Sequence, residues 1–270
     1  MNDAVPELHA CLRLVHIGLG FLGLATFWLI IALPKGSRTH VRCGKLFATI
    51  TWIVGGSAMI SSLWAIIHLD SFAPQIDRSN DPTGQRVIYQ FIFSILLYLS
   101  AATVSGAAFG IQVVRKRNLH AGLRATSLPV WLCITAVIAL YLVIFGACHL
   151  ATHKSSTSGM PWEAYFVPIV VGCLGIGSIA YEWRFVFGPA PGPHTWLRQH
   201  IWHMCGTGVA FHTAFLVFGA NRLFNYSLPG AWALIPWVAP PLVGMSLTAR
   251  YLRRFANESS GGTTRTQSPP

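Results

Sequence analysis

Three histidines lie in one long stretch of the chain that carries no other ionisable side chain but one thiol. His200, His203 and His212 follow Arg198, and no charged residue occurs from there to Ala220. A helix of about 20 apolar residues crosses a bilayer, so this stretch predicts a membrane span. An ionisable side chain at such a depth is costly and is by default a candidate for function. Imidazole groups are therefore the first candidates for the chemistry of this protein.

His16 and His212 form the first candidate pair. At a rise of 1.5 Å per residue, they lie on the same side of the midplanes of their predicted spans, roughly 9 Å and roughly 3 Å beyond them. Two facing histidines can hold a b-type haem, because neutral imidazole binds iron well. This hypothesis makes both residues cofactor-binding and predicts a Soret band. The alternative is a polar contact between helices that only supports packing.

A second cluster lies near the predicted outer surface. His149 and His153 are four residues apart and would share one helix face, while His68 and Asp70 close the second predicted span on the same side. Imidazole and carboxylate groups are suitable ligands for zinc. The set predicts a metal site, which elemental analysis would test. The alternative is a group of water-exposed side chains at the membrane edge.

A third group lies at the predicted cytoplasmic edge. Its members would bind anionic lipid head groups or only anchor helices at the interface: His40, Arg42, Arg198, His200 and His203. No Asp or Glu lies in the middle of a predicted span. A proton-coupled carrier, which typically relays protons through buried carboxyl groups, is therefore not favoured.

The composition indicates a membrane protein. Of the 270 residues, 53% are hydrophobic and 10% are charged, whereas soluble domains average about 25% charged residues. The net charge of +11 does not indicate nucleic-acid binding, because the basic residues flank apolar stretches. The six cysteines form no C-x-x-C pair, so a zinc or redox motif of that kind is not supported. The lipid bilayer is the one partner that composition predicts.

Apolar stretches predict an all-α membrane protein with seven transmembrane helices. Long apolar stretches in lipid form helices, since a helix satisfies all of its backbone groups internally. Residues 1–255 form the predicted transmembrane domain, and residues 256–270, rich in Ser, Thr, Gly and Pro, form a predicted disordered tail. The predicted spans are residues 11–33, 44–68, 87–113, 127–150, 162–181, 199–220 and 230–250.

The distribution of charge predicts the orientation of these spans. Most of the 19 Lys and Arg residues fall in alternate loops and after the last span. By the positive-inside rule, the N-terminus lies outside and the C-terminus lies in the cytoplasm. A weak parallel internal repeat is also expected, because the loop ending at His40 precedes Cys43-Gly44 as the loop ending at His200 precedes Cys205-Gly206.

Two short motifs resemble those of a large family of bacterial membrane proteins, domain of unknown function 2306. The segment 40–44, H-V-R-C-G, is similar to the family's H-x-x-x-G entry to a span, although Val41 stands where the family more often has Arg. The segments 200–204, H-I-W-H-M, and 213–215, T-A-F, resemble its later motifs. The resemblance implies a polytopic protein of the bacterial inner (plasma) membrane, and it implies no activity.

Three functions remain open at this point, and the sequence does not decide whether the protein is an enzyme. The first is a haem or redox protein with haem b held by histidines. The second is a non-enzymatic protein that binds lipid, a small ligand or a protein partner through its helices. The third is a metal-dependent membrane hydrolase with zinc at the outer histidines.

Overall fold

The computed structural model describes residues 4–73, 76, 82–117, 120–152, 165–189, 192, 194–224, 232 and 235–261. Every regular element in these residues is helical. A 3-10 turn, His120–Leu123, precedes α5, and a π-helical segment, Phe215–Ala220, joins α7 to α8. The α-helices are α1 (Ala4–Ala32), α2 (Arg38–Ile67), the short α3 (Leu69–Phe72), α4 (Pro82–Arg115), α5 (Leu128–Thr152), α6 (Phe166–Phe187), α7 (Thr195–Ala214), the short α8 (Asn221–Phe224) and α9 (Ile235–Gly261).

Six helices in the described residues are long and apolar enough to cross a membrane. They are α1 from Arg13 onward, α2, α4, α5, α6 and α7 with its π-helical extension. The prediction of an all-helical membrane protein is confirmed at the level of the length and composition of the helices. The seventh long helix, α9, is not among the six, since Pro240 and Pro241 lie inside it and Arg250 follows.

Two helices extend past their predicted ends. The fifth predicted span ends at residue 181, but α6 continues to Phe187. The last helix begins at Ile235 and continues to Gly261, past the predicted start of the tail, while residues 262–270 lie outside the described part. Hydropathy shows where apolar side chains stop, and helical hydrogen bonding continues beyond that point. The extension of α6 matters for function, because it places Glu182 inside a helix.

Helix α4 is the centre of the bundle and packs against α2, α5 and α7. Its buried surface is rich in small residues, including Ala101, Ser105, Ala108 and Gly110. A Cβ atom at Gly110 would lie 2.8 Å from the sulfur of Met204 on α7. Small side chains let membrane helices approach closely and gain dispersion contacts. The α4 surface therefore brings α7 close to the centre of the bundle.

Helix α9 packs antiparallel along α7. The ring of Trp237 lies 5.6 Å from that of Phe218, measured between centroids, and Gly244 lies against Val209. Residue numbers thus fall along α9 as they rise along α7. The two contacts are separated by about 10 Å along α9, so the helices run side by side rather than crossing at a point.

The loops that join α1 to α2, α4 to α5 and α6 to α7 lie at one end of the bundle, which we call the basic end. Arg124, after α4, donates to the carbonyl oxygens of Val186 and Phe187 at the end of α6, at 3.2 and 2.9 Å. Lys35 donates to two carbonyl oxygens at the end of α1. Burial among these groups lowers the pKa of the Lys35 ammonium below its usual value. Cations at helix C-termini interact favourably with the helix dipole.

The glycines of α6 differ in what surrounds them. Substitution by alanine is therefore expected to change the stability of the protein by different amounts at different positions. A Cβ atom at Gly172 would lie 2.6 Å from the carbonyl oxygen of Ala139 on α5, whereas one at Gly177 would meet nothing within 4 Å. We expect Gly172→Ala to destabilise the protein by about 1–3 kcal/mol through overpacking. Gly177→Ala should leave stability within about 1 kcal/mol, since Ala favours helix. Unfolding by dodecyl sulfate in mild detergent measures both, and equal losses would contradict this packing.

Candidate functional site

A buried carboxyl group and a buried imidazole face each other between α6 and α7. Oε1 of Glu182 lies 3.9 Å from Nδ1 of His203. The two residues are 9% and 7% exposed, and both lie within helices suited to span a membrane. Glu182 lies away from the middle of α6, so the expectation that no Asp or Glu lies in the middle of a span is not contradicted, but the predicted span ended one residue before Glu182. Glu182 lies about 8 Å inside the end of α6, because that helix does not stop at residue 181.

One contact orients the carboxyl group of Glu182, and a second joins its helix to α7. Ser178, one helical turn earlier on α6, donates its hydroxyl hydrogen to Oε1 of Glu182 at 3.1 Å. The neighbouring Tyr181 accepts a hydrogen bond from Nε2 of Gln199 on α7 at 2.9 Å. The first contact orients the side chain, and the second ties α6 to α7 at the same level. The separation between Glu182 and His203 is thus set by contacts of both helices.

The imidazole of His203 is only partly satisfied. Its ring stacks on Phe109 of α4, with centroids 4.2 Å apart and planes 29° apart. No polar atom of the described residues lies within hydrogen-bond distance of its Nε2, which is buried. A buried polar atom without a partner costs about 1–3 kcal/mol. Such an atom in a native protein calls for an explanation, and a bound molecule is one.

The second histidine of this helical turn has a different environment. Nδ1 of His200 lies 2.7 Å from the carbonyl oxygen of Gly110 on α4, so it carries the hydrogen and donates it. This contact joins α7 to α4 near the basic end. His200 therefore supports packing, whereas His203 retains a free nitrogen.

A cavity of about 200 Å³, open on one side, lies beside the pair. Its walls come from α4, α5, α6 and α7, and ligand sites in helical bundles commonly lie between helices in this way. The volume suits a small molecule, since drug-sized ligands occupy pockets of about 300–1,000 Å³. The polar side chains on its wall include Tyr98, Ser105, Thr135, Ser178, Glu182 and His203.

Two glycines shape this cavity. An added Cβ atom at Gly175 would collide with the hydroxyl and ring of Tyr98, so this glycine lets the tyrosine of α4 pack against α6. Gly206 also lines the cavity, but an added Cβ atom there would meet nothing within 4 Å. The first glycine is needed for packing, and the second leaves open space beside the histidine.

The structure does not bring His16 and His212 together. Nδ1 of His16 lies 3.0 Å from Oγ of Ser57 on α2. His212 accepts the indole N–H of Trp28 at Nε2, at 2.9 Å, and its Nδ1 lies 2.7 Å from the carbonyl oxygen of Gly208. Trp28 is about 18 Å from His16 along α1. Haem binding by this pair stays a prediction. It would require Nε2 of His212 to lose its hydrogen bond from Trp28.

The predicted outer metal ligands have partners of other kinds. Asp70 pairs with Arg86, the ring of His68 stacks on a tryptophan of its own helix, and Nδ1 of His149 lies 2.9 Å from a carbonyl oxygen of its own helix. The described residues contain no group of three or more His, Cys, Asp or Glu that could hold a metal ion. His153 lies outside those residues, so the zinc site stays a prediction.

The predicted head-group residues separate into two sets. Arg42 and Arg198 are exposed at the basic end, and His40 lies within electrostatic range of His200 there. His203 is buried with Glu182 instead. Lipid binding by the exposed set stays a prediction, and His203 belongs to the cavity.

Sequence reasoning identified His203 but missed Glu182. The hydropathy of the fifth span falls at Glu182 and Arg184, and the predicted span therefore ends at residue 181. A usable signal was present, because Ser178 and Glu182 are four residues apart and so share a helix face. Hydropathy averaged over a window does not contain that information.

Comparison with known proteins provides no further guide, as the chain matches no family model, no curated protein and no solved structure. The resemblance to domain of unknown function 2306 therefore stays a prediction. The function must be argued from the contacts of the site itself.

The geometry predicts energetic coupling between Glu182 and His203. We expect Glu182→Gln and His203→Gln to show a coupling free energy of about 1–2 kcal/mol in a double-mutant cycle, because each side chain is buried against the other. Unfolding by dodecyl sulfate in detergent micelles measures the four free energies. Glu182→Gln combined with His212→Gln is the control and should be additive within about 0.5 kcal/mol, since His212 contacts α1 instead. Additivity of the first pair would show that the two groups do not interact.

Proposed function

We propose that this protein is an integral membrane protein that binds a small polar molecule inside its helical bundle, beside Glu182 and His203. The observation that carries the proposal is a pair of buried ionisable side chains on the wall of the cavity, with Oε1 of Glu182 3.9 Å from Nδ1 of His203. A ligand that bonds this pair would recover free energy lost by burying it. An ionisable pair at such a depth in a membrane bundle is a functional site by default.

This proposal selects the ligand-binding alternative from the three functions that the sequence left open. The haem and redox alternative depends on His212, whose two nitrogens both have protein partners. The hydrolase alternative depends on a metal site, and the described residues contain no group of three ligands that could form one. The cavity, by contrast, combines open volume with two buried ionisable side chains on its wall. It is the arrangement in this bundle that best supports recognition of a molecule.

The proposal includes seven spans in a bacterial inner (plasma) membrane, with the N-terminus outside and the basic end in the cytoplasm. The concentration of Lys and Arg at that end supports the orientation through the positive-inside rule. The antiparallel packing of α9 along α7 supports α9 as the seventh span. Its prolines lower its hydropathy, but neighbouring helices allow proline within membrane helices.

Cysteine labelling in intact cells tests this topology. In a variant without the native cysteines, Ser158→Cys should react with a membrane-impermeant maleimide, since it follows α5 on the outer side. Gly192→Cys and Thr266→Cys should react only after lysis, because both lie on the cytoplasmic side. Labelling of position 266 in intact cells would mean that α9 does not cross. Reversal at all three positions would invert the orientation.

Filling the cavity tests the ligand site. Leucine at position 206 should enter the open space beside His203 without a collision at its Cβ atom. We expect a panel of small amines, carboxylates, alcohols and sugars to include a compound that stabilises the wild-type protein. At about 100 times its Kd, such a ligand adds about 2.7 kcal/mol.

Thermal unfolding in detergent measures this effect, and Gly206→Leu should lose it. Gly177→Leu is the matched control, because position 177 has equal room and does not line the cavity. The control should retain the stabilisation. The same stabilisation in Gly206→Leu would place the ligand elsewhere, and no stabilisation of the wild-type protein by the panel would count against the site.

A further inference from the structure

We infer that the molecule bound beside Glu182 and His203 is a small organic ammonium ion, and that it displaces a proton that the pair otherwise holds. The inference rests on the proposed function and deepens it by naming the chemical class of the ligand. It follows from three properties of the cavity wall: its charge, the direction of its hydrogen bonds and its aromatic rings.

The charge of the wall favours a cation. Glu182 is the one carboxyl group among the described residues that line the cavity, and these residues include no Lys or Arg. An anionic ligand would lie beside a carboxylate with no basic side chain to compensate it. A cation would instead neutralise Glu182 within a region of low dielectric constant, where an unpaired charge is costly.

Four of the six hydroxyl groups that the described residues place on the wall are oriented to accept hydrogen bonds. Thr103, Thr135 and Thr207 each donate their hydroxyl hydrogen to a carbonyl oxygen of their own helix, at 2.6, 2.8 and 2.9 Å. Ser178 donates to Glu182. A hydroxyl group has a single hydrogen, so these four oxygens can only accept further bonds. An ammonium group with three N–H donors and no acceptor is complementary to such a wall.

Aromatic side chains support the same class of ligand. Trp202 and Tyr98 both line the cavity. The face of an aromatic ring attracts a cation, most strongly when the ring is that of tryptophan. At about 200 Å³ the cavity holds a small molecule. A short alkyl ammonium ion is complementary in charge and hydrogen-bonding to the carboxylate, the hydroxyl oxygens and the rings of this wall.

Neutrality then requires the loss of a proton on binding. Before binding, one proton shared between Glu182 and His203 keeps the pair neutral as a whole, whichever of the two holds it. When the ammonium ion binds the carboxylate, the proton leaves to the solvent from whichever residue held it, and His203 is left neutral. One cation enters and one proton departs, so the total charge of the buried site does not change.

Few other titratable groups face this pair. Tyr98 faces it from α4, and His200 lies one turn before His203 on α7, where its Nδ1–H is bonded to Gly110. Helix α5 contributes only the hydroxyl of Thr135 among the described residues of the wall. The groups that exchange the proton are thus Glu182 and His203.

Isothermal titration calorimetry on the purified full-length protein tests the inference with three probes of similar size. The probes are n-propylammonium, propionate and propan-1-ol. We expect n-propylammonium to bind the wild-type protein in preference to the other two. The dependence of the heat on the ionisation enthalpy of the buffer should show release of about one proton for each ligand bound.

Two variants locate the binding. Glu182→Gln should weaken n-propylammonium binding by roughly 10- to 100-fold, as expected for loss of a hydrogen bond to a charged group. Asp70→Asn removes a carboxyl group that pairs with Arg86 outside the cavity, and it should leave the affinity unchanged. Circular dichroism of both variants checks that they fold.

Several results would overturn the inference: preference for propionate or propan-1-ol, no binding of n-propylammonium, no proton release, or equal affinity in Glu182→Gln. Preference for the anion or the alcohol, if lost in Gly206→Leu, would leave the proposed ligand site standing and reject only the cation. Binding of any probe that persists in Gly206→Leu would reject the ligand site itself. The two proposals therefore fail separately.

Discussion

The burial of a carboxyl group against an imidazole is the interaction on which the rest of this bundle depends. An isolated charge among apolar helices is costly, so Glu182 must have a partner within reach or hold a proton. His203 lies 3.9 Å away on the next helix. This distance is kept only if α6 and α7 neither slide nor rotate relative to each other. The bond from Gln199 to Tyr181 and the stacking of His203 on Phe109 contribute to both.

Close helix packing and open volume occur side by side in this bundle because of where the small residues lie. Gly110 lets α7 approach α4, which brings the ring of His203 onto Phe109. Gly175 lets Tyr98 reach α6. Gly206 faces open space. The same residue type thus provides contact at two positions and leaves space at a third, beside His203.

Glu182 and His203 lie within a few helical turns of the basic end of the bundle. Glu182 lies about 8 Å from the end of α6, and His203 lies about 12 Å from the start of α7. Arg124 binds the carbonyl oxygens at the end of α6, so the helix that carries Glu182 is anchored close to the pair. The pair thus lies between apolar helices and close to the basic end of the bundle.

The sequence by itself determined the helices, because long apolar stretches in lipid must satisfy their backbone groups internally. It also singled out His203, but as a residue of the predicted cytoplasmic edge. The sequence could not show that α6 carries Glu182 inward, that both nitrogens of His212 are bonded, or that Gly172 is crowded while Gly177 is free. Hydropathy is a property of one segment, whereas a side chain's partners come from other helices. Only the tertiary structure, by setting the rotation and register of each helix, decided which polar groups meet and which nitrogen stays unpaired.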